Sequence, residues 1–282
     1  MTGAPPSLPS LFGRFLRFGL LAWGGPVAQI AMLKRELVEE ERWLSPERFN
    51  RLLAVYQVLP GPEAHELCVH LGTMQRGRIG GVLAGLGFML PGLLLILLLS
   101  WAYAWLDLAA EPWPALLLGL QIGVLALIAR AVHRIGEHVL SDGWLWAAAV
   151  GTGAASLAGV PFWIVLPACG LAYLAVRKRW RAAAVGVVLV AAAAAMLQAG
   201  APGVSPMQEA VQSASIAALF ATGLKAGLLT FGGAYTAIPF VRDDAVGRGW
   251  VTDGQFLDGL ALSGVIPAPL IIFATFVGYQ AG

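Results

Sequence analysis

Residues 79–106 read IGGVLAGLGFMLPGLLLILLLSWAYAWL, 28 positions without one charged side chain. A helix rises 1.5 Å per residue, and about 20 residues cross the ~30 Å hydrocarbon core of a bilayer. The stretch therefore predicts a membrane helix, and the rest of the chain is read outward from it. Residues 143–176 are also uncharged, over 34 positions. One helix of that length would run to about 51 Å, too long for the core, so a turn is expected at Gly159-Val160-Pro161 and two spans on either side of it. Further spans are expected at 12–33, 114–131, 182–198, 214–241 and 256–282. The predicted fold class is all-α, a polytopic membrane helix bundle.

Composition agrees. Of 282 residues, 58% are hydrophobic and 12% charged, with a mean hydropathy of +0.75, against roughly 25% charged in a soluble domain. The 35 glycines follow no collagen-like period, which suits helices packing closely in lipid. Cys68 and Cys169 lie in apolar stretches and are too few for a disulfide framework or a four-ligand metal site. His65, His70, His133 and His138 lack zinc-protease spacing, and no phosphate-cradling glycine loop ends in Lys-Ser/Thr. No metal, cofactor or ATP-driven pump is expected, and neither is an enzyme: no Ser/His/Asp set stands at helix spacing. The first ten residues carry no charge, unlike a cleaved signal peptide, so the first membrane segment is expected to stay in the mature protein. The basic cluster Arg177-Lys178-Arg179 with Arg181 suits an anionic cytoplasmic leaflet and not nucleic acid.

Laying residue 24 on residue 232 exposes an internal repeat. Leu16 to Gly25, LRFGLLAWGG, meets Leu224 to Gly233, LKAGLLTFGG. After one gap Trp43 pairs with Trp250, Phe49 with Phe256, and Pro60-Gly61-Pro62 with Pro267-Ala268-Pro269. The expected domains are thus a first repeat over 1–205 and the beginning of a second over 206–282. Repeats of this kind occur in secondary transporters, whose sites lie at interrupted helices near the midplane. Gly24-Gly25-Pro26, Gly232-Gly233 and the two Pro-x-Pro motifs are the expected interruptions.

The side of each loop bears on how the repeats are related. If residues 52–75 cross the membrane, the loops 34–51 and 242–253 lie on opposite faces and the repeats are inverted. The five Lys/Arg of 34–51 then stand outside, against the positive-inside rule. If 52–75 is re-entrant, the same count puts both loops inside and the repeats run parallel. The inverted arrangement is favoured.

Arg17 and Lys225 each precede a Gly-Gly by seven residues, two turns, hence on the same helix face as the break. A cation inside a membrane segment is a site candidate by default. Broken helices also present backbone N–H groups and a positive dipole end to an anion. Arg17, Gly24, Gly25, Pro26, Pro60, Gly61, Pro62, Lys225, Gly232, Gly233, Pro267 and Pro269 are therefore the expected substrate-binding set. Glu63, His65 and Glu66 follow the first Pro-x-Pro and are the proton-coupling candidates, since such groups titrate near neutrality in a partly dry cavity. Residues 34–51 read as an interfacial helix followed by a Ser45-Pro46-Glu47 helix start.

These motifs resemble the chromate ion transporter family: Trp23-Gly24-Gly25-Pro26 with Gln29-Ile30-Ala31, Leu59-Pro60-Gly61-Pro62-Glu63-Ala64, Phe231-Gly232-Gly233-Ala234-Tyr235-Thr236-Ala237-Ile238-Pro239, and Ser263-Gly264-Val265-Ile266-Pro267-Ala268-Pro269. The resemblance covers essentially the whole chain. It implies an all-helical carrier of the inner membrane that expels chromate in exchange for protons, with sulfate or a related oxyanion as the alternative substrate. Where this chain has Ala22-Trp23 the family commonly has Ser-Phe, and where it has His65 and Glu66 the family has glutamine. Two-domain members continue beyond the second Pro-x-Pro, so a second repeat about one-third built is expected, as in a fragment, a split gene product or a truncated subunit that needs a partner; a homodimer or a complementary partner chain is the expected assembly.

Overall fold

The computed structural model describes residues 6–106, 110–157, 160, 162–177, 214–228, 230 and 234–282. Among them every regular element is helical, as the composition and apolar runs led one to expect. Among the described residues two helices are long and apolar enough to cross a membrane, within 63–105 and 113–134; the second contains the span expected at 114–131, and the first covers that expected at 79–106 up to Trp105. The span expected at 182–198, the basic residues Lys178, Arg179 and Arg181, and Gly232-Gly233 lie outside the described residues.

The organising element is α4, Glu63–Trp105, which is bent double. Arg76 (φ −139°, ψ 29°) and Gly77 (φ 61°, ψ −156°) leave helical geometry, so a short arm, 63–75, folds back along a long arm, 78–105. Gly80 meets Gly72, Gly81 meets Val69 and Thr73, and Gly85 meets Val69 and His65. Residue numbers rise on one arm as they fall on the other, so the arms are antiparallel. Small side chains on the seam let the backbones approach, which in lipid is the main source of helix association. The short arm is about 20 Å long, well under the thickness of the core.

The first repeat region forms hairpins against the half of the long arm nearer Arg78. In α1, Leu8–Leu20, the stripe Leu11, Phe15 and Phe18 is buried, one face of a helix. It packs where Gly87 and Gly19 admit close backbone contact, Gly87 against Phe12 and Leu16, and Gly19 against Phe88. The chain turns at residues 21–24 and α2, Gly25–Lys34, returns alongside α1, continuing as a π-helical segment, Arg35–Glu40. Next, α3, Pro46–Tyr56, starts as expected, with the Ser45 hydroxyl accepting from Arg48 N at 3.3 Å and proline in its first turn. Tyr56 Oη lies 2.8 Å from His70 Nδ1. The chain therefore rises in α3, turns at 57–62 and descends in the short arm.

Residues 52–75 are thus a re-entrant hairpin and not a span, which corrects the crossing count above. One physical consequence is that the basic loop 34–51 stands at the same end as Arg76 and Arg78. Arg14 pairs with Glu41 on this loop, while Arg76 Nε donates to Pro6 O, just before α1, at 2.6 Å. The conflict with the positive-inside rule disappears.

The second region packs on the other half of the long arm. It comprises α8 (Ile216–Leu228), α9 (Ala237–Ala245), α10 (Asp253–Gly264) and α11 (Phe273–Ala281). A capping box starts α10, with Thr252 Oγ1 accepting from Gln255 N at 3.2 Å and Gln255 Oε1 accepting from Thr252 N at 2.9 Å. Pro267 and Ala268 lie on Gly92. Phe276 meets Tyr103 edge-on at 5.0 Å, and Gln280 Nε2 donates to Ser100 O at 3.0 Å. The expected spans 12–33, 214–241 and 256–282 are accordingly each interrupted, as their glycine and proline breaks foretold. In the described part of α5, Trp113–Val139, Gln121 and Val124 face α10.

Residues 127–208 group as a second compact unit. There α6, Gly143–Leu157, and α7, Phe162–Arg177, are two separate helices within the 34-residue stretch; Gly159 and Pro161 of the expected turn lie outside the described residues. Asp142 caps α6 by accepting from Leu145 N at 2.8 Å. Trp144, Trp146, Val150, Leu171 and Leu174 are more than half exposed, as suits helices that face lipid.

Candidate functional site

The two Pro-x-Pro breaks meet at the middle of the long arm. Its midpoint lies at Pro91-Gly92, and about 30 Å of hydrocarbon centred there puts these residues near the bilayer midplane. Gly61 N donates to Thr230 O at 2.8 Å, joining the first Pro-x-Pro to the residue just before Phe231-Gly232-Gly233. Pro62 and Pro269, which the repeat pairs, face a cavity of about 30 Å³ together with His65, Met89, Ile271 and Ile272. Space of that size holds one or two waters. Pro60 is half-buried and Pro267 buried. The Gly24-Gly25-Pro26 turn is not part of this cavity; it forms the tip of the α1–α2 hairpin, with Gly24 exposed.

The backbone explains the glycines. Gly24 and Gly25 have φ of 85° and 76°, and two consecutive left-handed residues are open to glycine at little cost. Gly61 has φ 142°, and a Cβ there would come within 2.5 Å of Glu66 Oε1. Its N–H is already committed to Thr230, so it is not a free donor for substrate.

The proton-coupling candidates stand at the head of the short arm. Glu63 is 7% exposed and follows the N-cap Pro62. Glu66 lies against Gly61, and its Oε2 is buried without a hydrogen-bond partner among the described residues. His65 borders both the inner cavity and an outer groove of about 410 Å³ between the two arms, lined also by Val69, Thr73, Gly81, Leu86 and Met89. It fits there because Gly85 has no side chain; a Cβ would lie 3.1 Å from His65 Nε2.

Both cation candidates are ion-paired. Arg17 donates to the two oxygens of Glu36 at 3.1 and 3.4 Å, and Glu36 is 6% exposed. Lys225 Nζ donates to Asp244 Oδ2 at 3.0 Å and lies 5.8 Å from the Phe240 ring centroid. Each pair spans 19 positions, and laying residue 24 on 232 also lays Glu36 on Asp244. Sequence reasoning missed the carboxylates, although the same register contained them. It also passed over Asp258, a carboxylate in the otherwise apolar 256–282 stretch. Asp258 is 7% exposed, and accepts from Tyr103 Oη and Gln121 Nε2, each at 2.8 Å.

Comparison with known proteins is consistent across the chain. The sequence profile of the chromate transporter family matches residues 9–174 and 217–282. A chromate transport protein of Pseudomonas aeruginosa is 65% identical over 281 residues, 99% of this chain and 68% of the relative. A chromate transport protein of Cupriavidus metallidurans is 31% identical over 97% of this chain and 67% of its own length. A probable chromate transport protein of Synechococcus elongatus is 29% identical over 97% and 69%. The chain thus spans about two thirds of these relatives. No solved structure matches it.

Proposed function

Because the chain belongs to the chromate transporter family, and is a membrane protein by the same measure, we propose that it carries chromate out of the cell across the inner membrane. The observation that carries this reading is the meeting of broken helices from both repeat regions at the centre of the long arm. Broken helices at the midplane supply amide donors and dipole ends where a dianion would otherwise face hydrocarbon. Residues 214–241 turn back as 52–75 do, with Lys225 paired to Asp244, so both leave the crossing count; the five expected spans that remain between the loops 34–51 and 242–253 are an odd number, which supports an inverted relation between the two regions.

The drive follows from charge. A dianion leaving a cell that is negative inside gains about 2.3 kcal/mol per charge per 100 mV, roughly 4.6 in all. Proton exchange adds to it through the head of the short arm, with Glu63 as carrier and His65 and Glu66 beside it. The ~30 Å³ cavity corresponds to a closed state, and passage requires the two Pro-x-Pro breaks to part.

Chromate flux in vesicles containing only this chain, driven by an imposed potential and competed with sulfate, tests the reading. Potential-dependent chromate efflux that excess sulfate does not abolish is expected. Equal suppression by sulfate would make the substrate class broader, and no flux at all would overturn the proposal for the chain alone. Glu63→Gln should leave potential-driven flux in place while removing acceleration by a pH gradient; an undiminished pH response would move the role elsewhere.

A further inference from the structure

Four carboxylates invite comparison: Glu36, Glu63 and Asp258 are buried and Asp244 is half-buried, and Glu63 belongs to the head of the short arm already described. Glu36 has Arg17, and Asp244 has Lys225 with Arg248 at 3.6 Å. Asp258 has no cation: its described partners are the Tyr103 hydroxyl and the Gln121 amide, both neutral. The elements packed around it bring none nearer. On the long arm the one charged residue is Arg78, at the opposite end; on α5 the first is Arg130, more than two turns beyond Gln121; α11 and the 3-10 turn Leu270–Ile272 have none, and Tyr279 of α11 is 40% exposed. Asp253, at the start of α10, is held by Arg242 at 2.7 Å. Phe276, which meets Tyr103 edge-on, lies against Gly259, the residue after Asp258.

A buried carboxylate without a cation is costly when ionised, so its retention calls for a use. The partners suit both protonation states. When Asp258 is ionised, Tyr103 and Gln121 each donate to one oxygen. When a proton from water adds to Oδ2, that O–H donates to the Tyr103 oxygen, whose own hydrogen rotates away, while Gln121 continues to donate to Oδ1. No heavy atom need move. An ion pair such as Lys225–Asp244 has no such freedom, because protonation would break it.

We propose that Asp258 is a proton-carrying site, taking up and releasing one proton in each transport cycle between the midplane and the Trp105 end of the bundle. Asp258 lies on α10, about 9 Å of helix before its end at Gly264, where the chain turns toward Pro267-Ala268, and Tyr103 and Gln121 tie it to the two apolar helices beside it. The proposal rests on the proton-exchange reading above and adds a second carrier in series with Glu63.

The test uses the whole chain in lipid vesicles. Asp258→Asn is suited to it, since the amide keeps the shape and both hydrogen bonds of the protonated acid but cannot titrate. A protonated-carboxyl infrared band that grows on acidification in wild type and is missing in Asp258→Asn is expected. In flux, the variant should lose the acceleration of chromate transport produced by a pH gradient. A wild-type pH response in the variant, with or without a change in the band, would overturn the proposal. So would the same carboxyl band in variant and wild type. If wild type moves no chromate, the transport reading fails, and the infrared titration still decides whether Asp258 takes a proton. If Asp258→Asn does not accumulate, Tyr103→Phe removes the hydroxyl that exchanges roles and must shift the Asp258 titration; an unshifted titration overturns the proposal.

Discussion

The two Pro-x-Pro breaks occupy matched places in the repeat and solve the same problem with different middle residues. In the first, Gly61 sits at φ 142° with the Glu66 carboxylate against it. In the second, Ala268 carries a methyl that rests on Gly92. One break is thus left open on its own side and filled by a carboxylate from the next helical turn, and the other is closed by a partner glycine on the long arm. The difference teaches that two Pro-x-Pro motifs matched in sequence can share an interruption and differ in the way it is packed. It also places the acidic, protonatable chemistry at the first break and an apolar contact at the second.

The ion pairs show the same division. Arg17 holds Glu36 with two contacts through a rigid fork, whereas Lys225 makes one contact to Asp244, which Arg248 and Thr222, at 3.6 and 3.5 Å, also approach. An arginine fork fixes geometry, while an ammonium is a point charge on a flexible stem. The first hairpin is accordingly the firmer, and the second the one whose cation is free to change partners. Trp43 and Trp250, also matched by the repeat, each lie under an arginine, Arg14 at 5.4 Å and Arg248 at 5.1 Å. These arginines come from unrelated positions.

The comparison breaks most completely at Gly61. Gly61→Val places a branched side chain at a left-handed backbone position, costing about 1–3 kcal/mol in strain, and drives its Cβ into Glu66. Chromate flux should disappear while the protein still reaches the membrane, as read by vesicle flux against immunodetected protein. Wild-type flux would show that this break, like the second, tolerates a side chain.

The next effect distinguishes the two cations. Lys225→Ala should reduce flux at least about tenfold, roughly 1.4 kcal/mol at the barrier, and Lys225→Arg should restore part of it. Because Lys225 is 42% exposed, the loss in stability should stay within about 1 kcal/mol. Arg17→Ala should show the reverse weighting, a larger loss of thermal stability than of flux, because it leaves the buried Glu36 with only the longer contact to Arg35 at 3.8 Å. Equal behaviour of the two variants would remove the distinction between a firm and a labile hairpin.

Much of this was legible from residue order alone because its physical causes are local. An uncharged run of 28 residues has few fates, and Gly-Gly and Pro-x-Pro inside apolar segments interrupt a helix wherever they stand. What escaped was set by tertiary contact. The reversal at Arg76-Gly77 made 52–75 re-entrant, and nothing in that stretch distinguishes a helix that crosses from one that turns back midway. Arg17 was read as facing the break, yet its charge is taken by Glu36 from a segment that looked like a surface helix. Asp258 went unremarked because its meaning depends on Tyr103 and Gln121, more than a hundred positions away.

The smallest expected effect sharpens the comparison from the other side. Ala268→Gly removes one methyl from a buried contact, about 0.8 kcal/mol for a group of that size, and adds backbone freedom to the unfolded chain, about 0.5–1 kcal/mol more. The sum, about 1–2 kcal/mol, should appear as a modest fall in the midpoint of thermal unfolding in detergent. Flux should be nearly unchanged, because the space opened lies against Gly92 and not against the Pro62–Pro269 cavity. If instead flux rises while stability falls, the Ala268 methyl is a brake on the parting of the two breaks. The second Pro-x-Pro would then be the gate and the first the site.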